Sequence, residues 1–162
     1  MQVEYINPFI ESVYDLFSTM LSAKVQRSKV AVSSGASNPR DLTALIGFSG
    51  PARGMVALAF PVGTALNIVN RLLGTETRIV DDTVSDAIAE LVNIVAGSAK
   101  ARINKDDGPV IDLSRPTIVR GVNYSVEYPS KSSWLDVCFE SDLGGFNMRV
   151  TFEMNKGKGK NP

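Results

Sequence analysis

The middle of the chain has the apolar periodicity of one long helix. Six apolar residues recur at the spacing of one helix face: Val84, Ile88, Leu91, Val92, Val95 and Ala99. On a helix that turns about 100° per residue, Asp86, Glu90, Asn93 and Gly97 fall on the opposite, outward face. Glu90 and Asn93 are three residues apart, so their side chains are neighbours there. The pattern predicts an amphipathic helix whose polar face meets another macromolecule.

The ends of this long helix are predicted from capping chemistry. Thr83 suits the N-cap, and Asp86 three residues on completes a capping box. An acid at position 86 also complements the positive end of the helix dipole, which favours a structural role for Asp86 over a catalytic one. We expect the helix to extend to about Arg102.

Two further helices are expected before it. Asn7 and Pro8 suit a cap and a first turn, and apolar residues follow them at helical spacing as far as Met20. A shorter helical pattern over residues 65–73 ends before Gly74. Glycine there suits a C-terminal cap.

The remaining apolar runs have the period of β-strands. They cover residues 25–33, 42–48, 55–60, 117–121, 124–128, 134–140 and 146–154. A turn containing Gly and Pro joins 42–48 to 55–60, so these two runs should form a hairpin. We therefore predict one domain over residues 1–154, followed by a disordered Lys/Gly tail at 155–162.

Composition excludes several classes of function. The chain has no His, one Cys, and 17 basic against 17 acidic residues. Histidine-dependent triads and intrachain disulfides are impossible, and no net charge attracts nucleic acid or an anionic membrane. No apolar run reaches membrane-spanning length and the first residues lack a signal-peptide pattern, so we expect a cytoplasmic protein. Cys138 alternates with Val137 and Phe139, which predicts a partly covered thiol.

The first helix weakly repeats the long one. Aligning the two segments places Glu11 on Glu90 and Tyr14 on Asn93, and each helix is later followed by a hairpin with glycine in its turn. This predicts two halves related by duplication. Tyrosine has the wrong size and donor pattern to replace an amide, so only the second copy is expected to be active.

A four-residue motif carries a family resemblance. The spacing Asp-x-x-x-Glu-x-x-Asn, followed by 22 residues and then Pro, is met by Asp86, Glu90, Asn93 and Pro116. It resembles the signature of the CheC/CheX/FliY phosphatases of bacterial chemotaxis. Further segments similar to CheX-like members are residues 5–11, 46–50, 54–61 and 94–100. CheX-like members carry the motif once, as this chain does.

The resemblance implies a fold, an activity and partners. The family fold is an α/β sandwich of the α+β kind, with a long antiparallel sheet and the helices packed on one face. The hairpins predicted above agree with it. CheX-like members form homodimers through the sheet. The implied activity is hydrolysis of the aspartyl phosphate of a CheY-like receiver domain, which supplies a lysine and a divalent ion such as Mg²⁺. No cofactor or metal site of this chain's own is required.

Within that activity the outward residues would have different roles. Asn93 offers a donor and an acceptor without useful basicity, so it is expected to orient the attacking water. Glu90 is expected to pair with the receiver lysine and dock the two proteins, with general base as its alternative role. Gly97 leaves room for the partner, and Pro116 is expected to place the strand that borders the helix.

Two non-catalytic hypotheses stand beside the enzyme. The middle domain of the flagellar switch protein FliM shares this fold without the motif, so a response-regulator-binding or FliM-like interaction module is the alternative. The intact pair of Glu90 and Asn93 favours the enzyme over that module. A scaffold that sequesters a response regulator without turning it over stays open, as does the choice of receiver.

Overall fold

Three helices follow the apolar periodicities of the sequence. The computed structural model describes residues 6–33, 41–105, 110–121, 124, 126 and 133–154. The helices are α1 at Asn7–Leu16, which continues as a π-helical turn at Phe17–Leu21, α2 at Val62–Leu73 and α3 at Asp82–Lys105. The predicted tail at 155–162 and most of the predicted strand at 124–128 lie outside the described residues. Within those residues, no helix combines the length and apolar character needed to cross a bilayer.

The ends of α1 differ from the prediction. Ile6, and not Asn7, occupies the N-cap position, without a side-chain cap. Its carbonyl accepts the backbone N–H of Phe9 at 3.0 Å, and its side chain is only 1% exposed, so burial of Ile6 fixes where the helix begins. At the other end the wider π-helical turn returns Leu21 to the core at 1% exposure and leaves Met20 40% exposed.

The beginning of α3 also corrects the prediction. The Asp81 carboxylate accepts the backbone N–H of Val84 at 2.9 Å, and the Asp81 carbonyl accepts that of Ser85 at 3.0 Å. Asp81 is therefore the cap, and the capping box of Thr83 with Asp86 is wrong. The helix also continues three residues beyond Arg102. The cap predicted for α2 is confirmed, since Gly74 adopts the left-handed region with φ 65°.

Seven strands form one antiparallel sheet. They are β1 at Val25–Ser33, β2 at Leu42–Ser49, β3 at Ala52–Phe60, β4 at Asp112–Leu113, β5 at Thr117–Arg120, β6 at Trp134–Ser141 and β7 at Phe146–Met154. The strand order is β1-β6-β7-β3-β2, with β4 and β5 both pairing with the outer side of β2. The predicted hairpin is confirmed, because Leu42 lies opposite Phe60 in the β2 to β3 register.

The strand order divides into two similarly arranged halves, as the predicted internal repeat suggests. The hairpins β2-β3 and β6-β7 meet at the centre through β3 and β7. The strand that follows α1 pairs with the hairpin of the second half, and the strand that follows α3 pairs with the hairpin of the first. One continuous apolar core joins the sheet to all three helices. The predicted α+β class with a long antiparallel sheet is therefore confirmed.

One face of the central strands is apolar and turns toward this core. Val137 and Phe139 of β6 are 0% and 1% exposed, whereas Cys138 between them is half-buried on the opposite face. The predicted partly covered thiol is confirmed. This alternation seats the helices on the apolar face, and the outer side of α3 is left as a surface.

Candidate functional site

The outward face of α3 is held in place by the burial of its inward face. The predicted stripe is buried throughout, with Val84 at 1%, Ile88 at 0% and Ala99 at 0% exposure. It packs against α1, α2, β2 and β5. A helix fixed on one side by so many apolar contacts cannot rotate without exposing them. The direction of its outer side chains is thereby set.

Three of the four motif residues lie together on that outer face. Asp86, Glu90 and Asn93 are exposed, and Gly97 is partly exposed one turn further on. Glu90 and Asn93 are separated by about 4.5 Å along the helix axis. Within the described parts of the chain, the side chains of Asp86, Glu90 and Asn93 make no hydrogen bond or ion pair. The acid and the amide are free to engage another molecule.

The same face carries residues that weaken the isolated helix. Asp86 and Glu90 are like charges at i and i+4, an arrangement that costs about 0.2–0.5 kcal/mol. Asn93 is a mediocre helix former, and Gly97 costs about 1 kcal/mol relative to alanine. A Cβ added at Gly97 would meet nothing within 4 Å, so packing inside the chain does not require glycine there. Local choices that oppose folding are expected where a surface has a function.

Pro116 lies apart from the other three, on the segment that leads into β5. It is half-buried and directly precedes Thr117, the first residue of β5. Arg120 at the end of this strand donates a hydrogen bond to the Val80 carbonyl at 3.0 Å and lies 3.8 Å from Asp82, so β5 borders the beginning of α3. The role predicted for Pro116, to place this strand, stays a prediction.

The counterpart residues on α1 have different surroundings. Arg102 of α3 donates a hydrogen bond to the Glu11 carboxylate at 3.1 Å and also pairs with Asp15. Tyr14 is partly buried and meets Phe139 edge to face at a ring separation of 6.2 Å. The structure thus ties the first copy into the protein, whereas the second copy is unpaired.

Sequence reasoning missed the residues that surround the site. It assigned no role to Arg102, whose two acidic partners lie 87 and 91 residues away along the chain. It also gave none to Lys100, although the seven-residue spacing from Asn93 places both on one face. That spacing was the available signal for Lys100, whereas a contact as distant as that of Arg102 leaves no local pattern.

The site lies on the outside of a helix. An exposed acid and amide on the outside of a helix enclose no small substrate, so they suit a reaction centre supplied by a second macromolecule. In the described portion of the chain, no three Cys, Asp or Glu residues gather closely enough to hold a metal ion. The fold therefore presents Glu90 and Asn93 on an exposed helix face and not in a closed pocket.

The comparisons with known proteins place this chain in a family. Residues 42–140 match the family described as chemotaxis phosphatase CheX. The chain belongs to that family, which confirms the family resemblance and the prediction of a phosphatase.

Individual relatives cover most of the chain. The "CheY-P phosphatase CheX" of Thermotoga maritima is 28% identical over 128 residues, which is 78% of this chain and 82% of the relative. A CheC-like superfamily protein from Shewanella sp. PV-4 is 30% identical, with a TM-score of 0.84 over 94% of this chain and 99% of its own. The CheX of a CheX-CheY-BeF3-Mg²⁺ complex from Borrelia burgdorferi is 22% identical, with a TM-score of 0.75 over 94% and 99%. At that identity the last likeness concerns the fold.

Proposed function

We propose that this protein hydrolyses the aspartyl phosphate of a CheY-like receiver domain. The observation that carries the proposal is the pair of Glu90 and Asn93 in a chain of the CheX family: both are exposed on one face of α3, and no described residue pairs with either. The relative from Thermotoga maritima is named a CheY-P phosphatase. A CheX of the same fold has been crystallised with CheY, BeF3 and Mg²⁺.

Asn93 orients the attacking water in this proposal. An acyl phosphate already has a good leaving group, so the reaction mainly needs a nucleophile in line with the bond that breaks. The Asn93 amide accepts a hydrogen bond from the water through Oδ1 and donates one through Nδ2. The water oxygen then bonds to phosphorus while the bond to the aspartate oxygen breaks, which releases inorganic phosphate and free aspartate.

Glu90 docks the receiver rather than carrying out the chemical step. The receiver supplies a lysine and a divalent ion, Mg²⁺, which neutralises charge on the phosphoryl oxygens. The Glu90 carboxylate, one turn before Asn93, pairs with that lysine, and such a charge-assisted bond contributes roughly 1.5–3 kcal/mol. In the less favoured alternative, Glu90 acts as a general base on the water. No cofactor of this chain's own enters the reaction.

The proposal extends to a homodimer formed through β1. This strand ends the sheet order, and among the described residues it pairs on one side only, with β6. Val30 and Val32 on it are 43% and 70% exposed, beyond the register shift between Arg27 and Lys29. A regular, apolar sheet edge is a site for strand pairing, and an antiparallel copy of itself would satisfy its free backbone groups. A cytoplasmic location belongs to the same proposal.

One experiment separates the enzyme from the two non-catalytic modules. A receiver phosphorylated with a small-molecule phosphodonor in Mg²⁺ is mixed with this protein, and the aspartyl phosphate is followed with time. The enzyme accelerates phosphate loss at substoichiometric protein. A FliM-like module leaves the decay unchanged, and a sequestering scaffold binds the receiver at one equivalent without turnover.

A further inference from the structure

Lys100 lies on the same face of α3 as the proposed site. It follows Asn93 by seven residues, which is two helical turns and about 10 Å along the axis. Gly97 lies between them and has no side chain. The space that a Cβ would fill there is open. Lys100 and Asn93 therefore lie on the same side of α3.

The charge of Lys100 has no use inside the described structure. Among the described residues, Lys100 makes no hydrogen bond or ion pair. Its helical neighbours at three and four residues are Ala96, Gly97, Ile103 and Asn104, none of them an acid. Arg102, two residues on, has both Glu11 and Asp15. The surroundings of the Lys100 and Arg102 side chains therefore differ.

Helix electrostatics does not account for Lys100 either. A cation stabilises a helix when it lies in the last turn, and α3 ends five residues later at Lys105. Lys100 is half-buried, and a lysine in that setting covers its methylene chain while its ammonium stays in water. Neither an ion pair among the described residues nor the helix dipole therefore explains the cation at Lys100.

We infer that Lys100 forms a second electrostatic contact with the receiver, through a carboxylate on the receiver surface. This inference rests on the proposed function. Along the outer face of α3, charge runs from negative at Asp86 and Glu90, through neutral Asn93 and Gly97, to positive at Lys100. A receiver that presents its lysine to Glu90 and a carboxylate to Lys100 fits in one direction. The reversed receiver would set like charges against each other, which disfavours it.

The contact acts on association and not on the chemical step. Lys100 is too far from Asn93 to share the water, so its removal should raise KM and leave kcat unchanged. We expect Lys100→Gln to lower kcat/KM about threefold, as for a partly exposed pair. Lys100→Glu should lower it tenfold or more, since it sets two anions against each other. Lys100 is thus a specificity residue of the docking surface.

The test measures kcat and KM for receiver dephosphorylation over a series of receiver concentrations. Arg53→Gln and Arg53→Glu are the matched controls, because Arg53 is exposed on the face of β3 opposite its core residues Ala52 and Val56, away from α3 and from the β1 edge. Thermal unfolding verifies that all variants are equally folded. The expected result is a loss of kcat/KM in the Lys100 variants alone, which raised salt diminishes.

Three results would overturn the inference. Lys100→Glu with unchanged kcat/KM would show that no anion meets Lys100. A loss confined to kcat would make Lys100 part of the reaction centre, and a shift in sedimentation of Lys100→Glu would make it a contact between copies of this chain. Failure of the proposed function is distinct, because the unmodified protein would then remove no phosphate from any receiver.

Discussion

Arg102 of α3 donates a hydrogen bond to Glu11 of α1 at 3.1 Å. Glu11 is the residue that the internal repeat aligns with Glu90. The carboxylates at these two aligned positions therefore have different surroundings. Glu11 is paired with Arg102, whereas Glu90 is exposed and makes no ion pair with a described residue.

Replacement of Glu11 should leave the enzyme nearly intact. Glu11→Ala removes one of the two acids that meet Arg102, and Asp15 still neutralises it. We expect turnover within about twofold of the parent and a stability loss below about 1 kcal/mol, as for a partly exposed ion pair. The measurement compares Glu11→Ala with Glu90→Ala at equal folded concentration. Comparable losses of activity would show that α1 also engages a receiver.

Glu90 should behave as a docking charge. Glu90→Ala is expected to weaken association with the receiver and lower activity, and Glu90→Gln should recover little because the charge is what binds. Added salt screens the contact, so it should depress the parent enzyme more than Glu90→Ala. Stopped-flow rates at several ionic strengths check this, and equal salt slopes for the two proteins would argue against an ion pair.

A substitution at Gly97 tests the outer face of α3 without changing Glu90 or Asn93. Gly97→Gln should raise the free energy of unfolding by up to about 1 kcal/mol, because the space is open and glutamine is the better helix former. It should nevertheless weaken receiver binding about tenfold, since overpacking an interface costs about 1–3 kcal/mol.

Gly63 provides the matched control for Gly97. It lies in the first turn of α2, where an added Cβ also meets nothing within 4 Å. Gly63→Gln should leave receiver binding unchanged. If Gly97→Gln binds the receiver as tightly as Gly63→Gln does, the partner does not approach α3 at this turn.

The dimer is tested at the exposed edge of the sheet. We expect sedimentation at micromolar concentration to show a homodimer, and Val32→Lys to shift it toward monomer by placing a charge in the paired strands. Ile79, which is 70% exposed like Val32 but lies outside the sheet, supplies the control Ile79→Lys. A parent protein that stays monomeric at every concentration would remove the β1 interface.

Much of the fold could be predicted because its signals are local. The stripe of α3 follows from a period of 3.6 residues, and Gly74 from the need for a left-handed C-terminal cap. The N-cap of α3 could not be chosen, because Asp81, Asp82 and Thr83 stand in a row and each suits the position. Only the observed bond to Val84 decides for Asp81.

The pairing of distant parts could not be predicted. The sequence shows that Val25–Ser33 is a strand, yet its partner β6 lies more than a hundred residues away, with Val25 opposite Ser141. The contact of Arg102 with Glu11 is equally remote. At the site, spacing alone brought Glu90, Asn93 and Gly97 to one face because they share a helix, whereas the place of Pro116 depended on the sheet.

Asn93 is proposed to position water for attack on a phosphorylated receiver, and the rate at which Asn93→Ala dephosphorylates the receiver tests that role. Asn7→Ala, which removes another exposed helical asparagine, is the control. Loss of water orientation can be worth several kcal/mol in the barrier, so we expect a fall in rate of about a thousandfold or more. Receiver binding should stay near that of the parent. An Asn93→Ala protein whose turnover is close to that of the unmodified protein and of Asn7→Ala would show that Asn93 does not position the water.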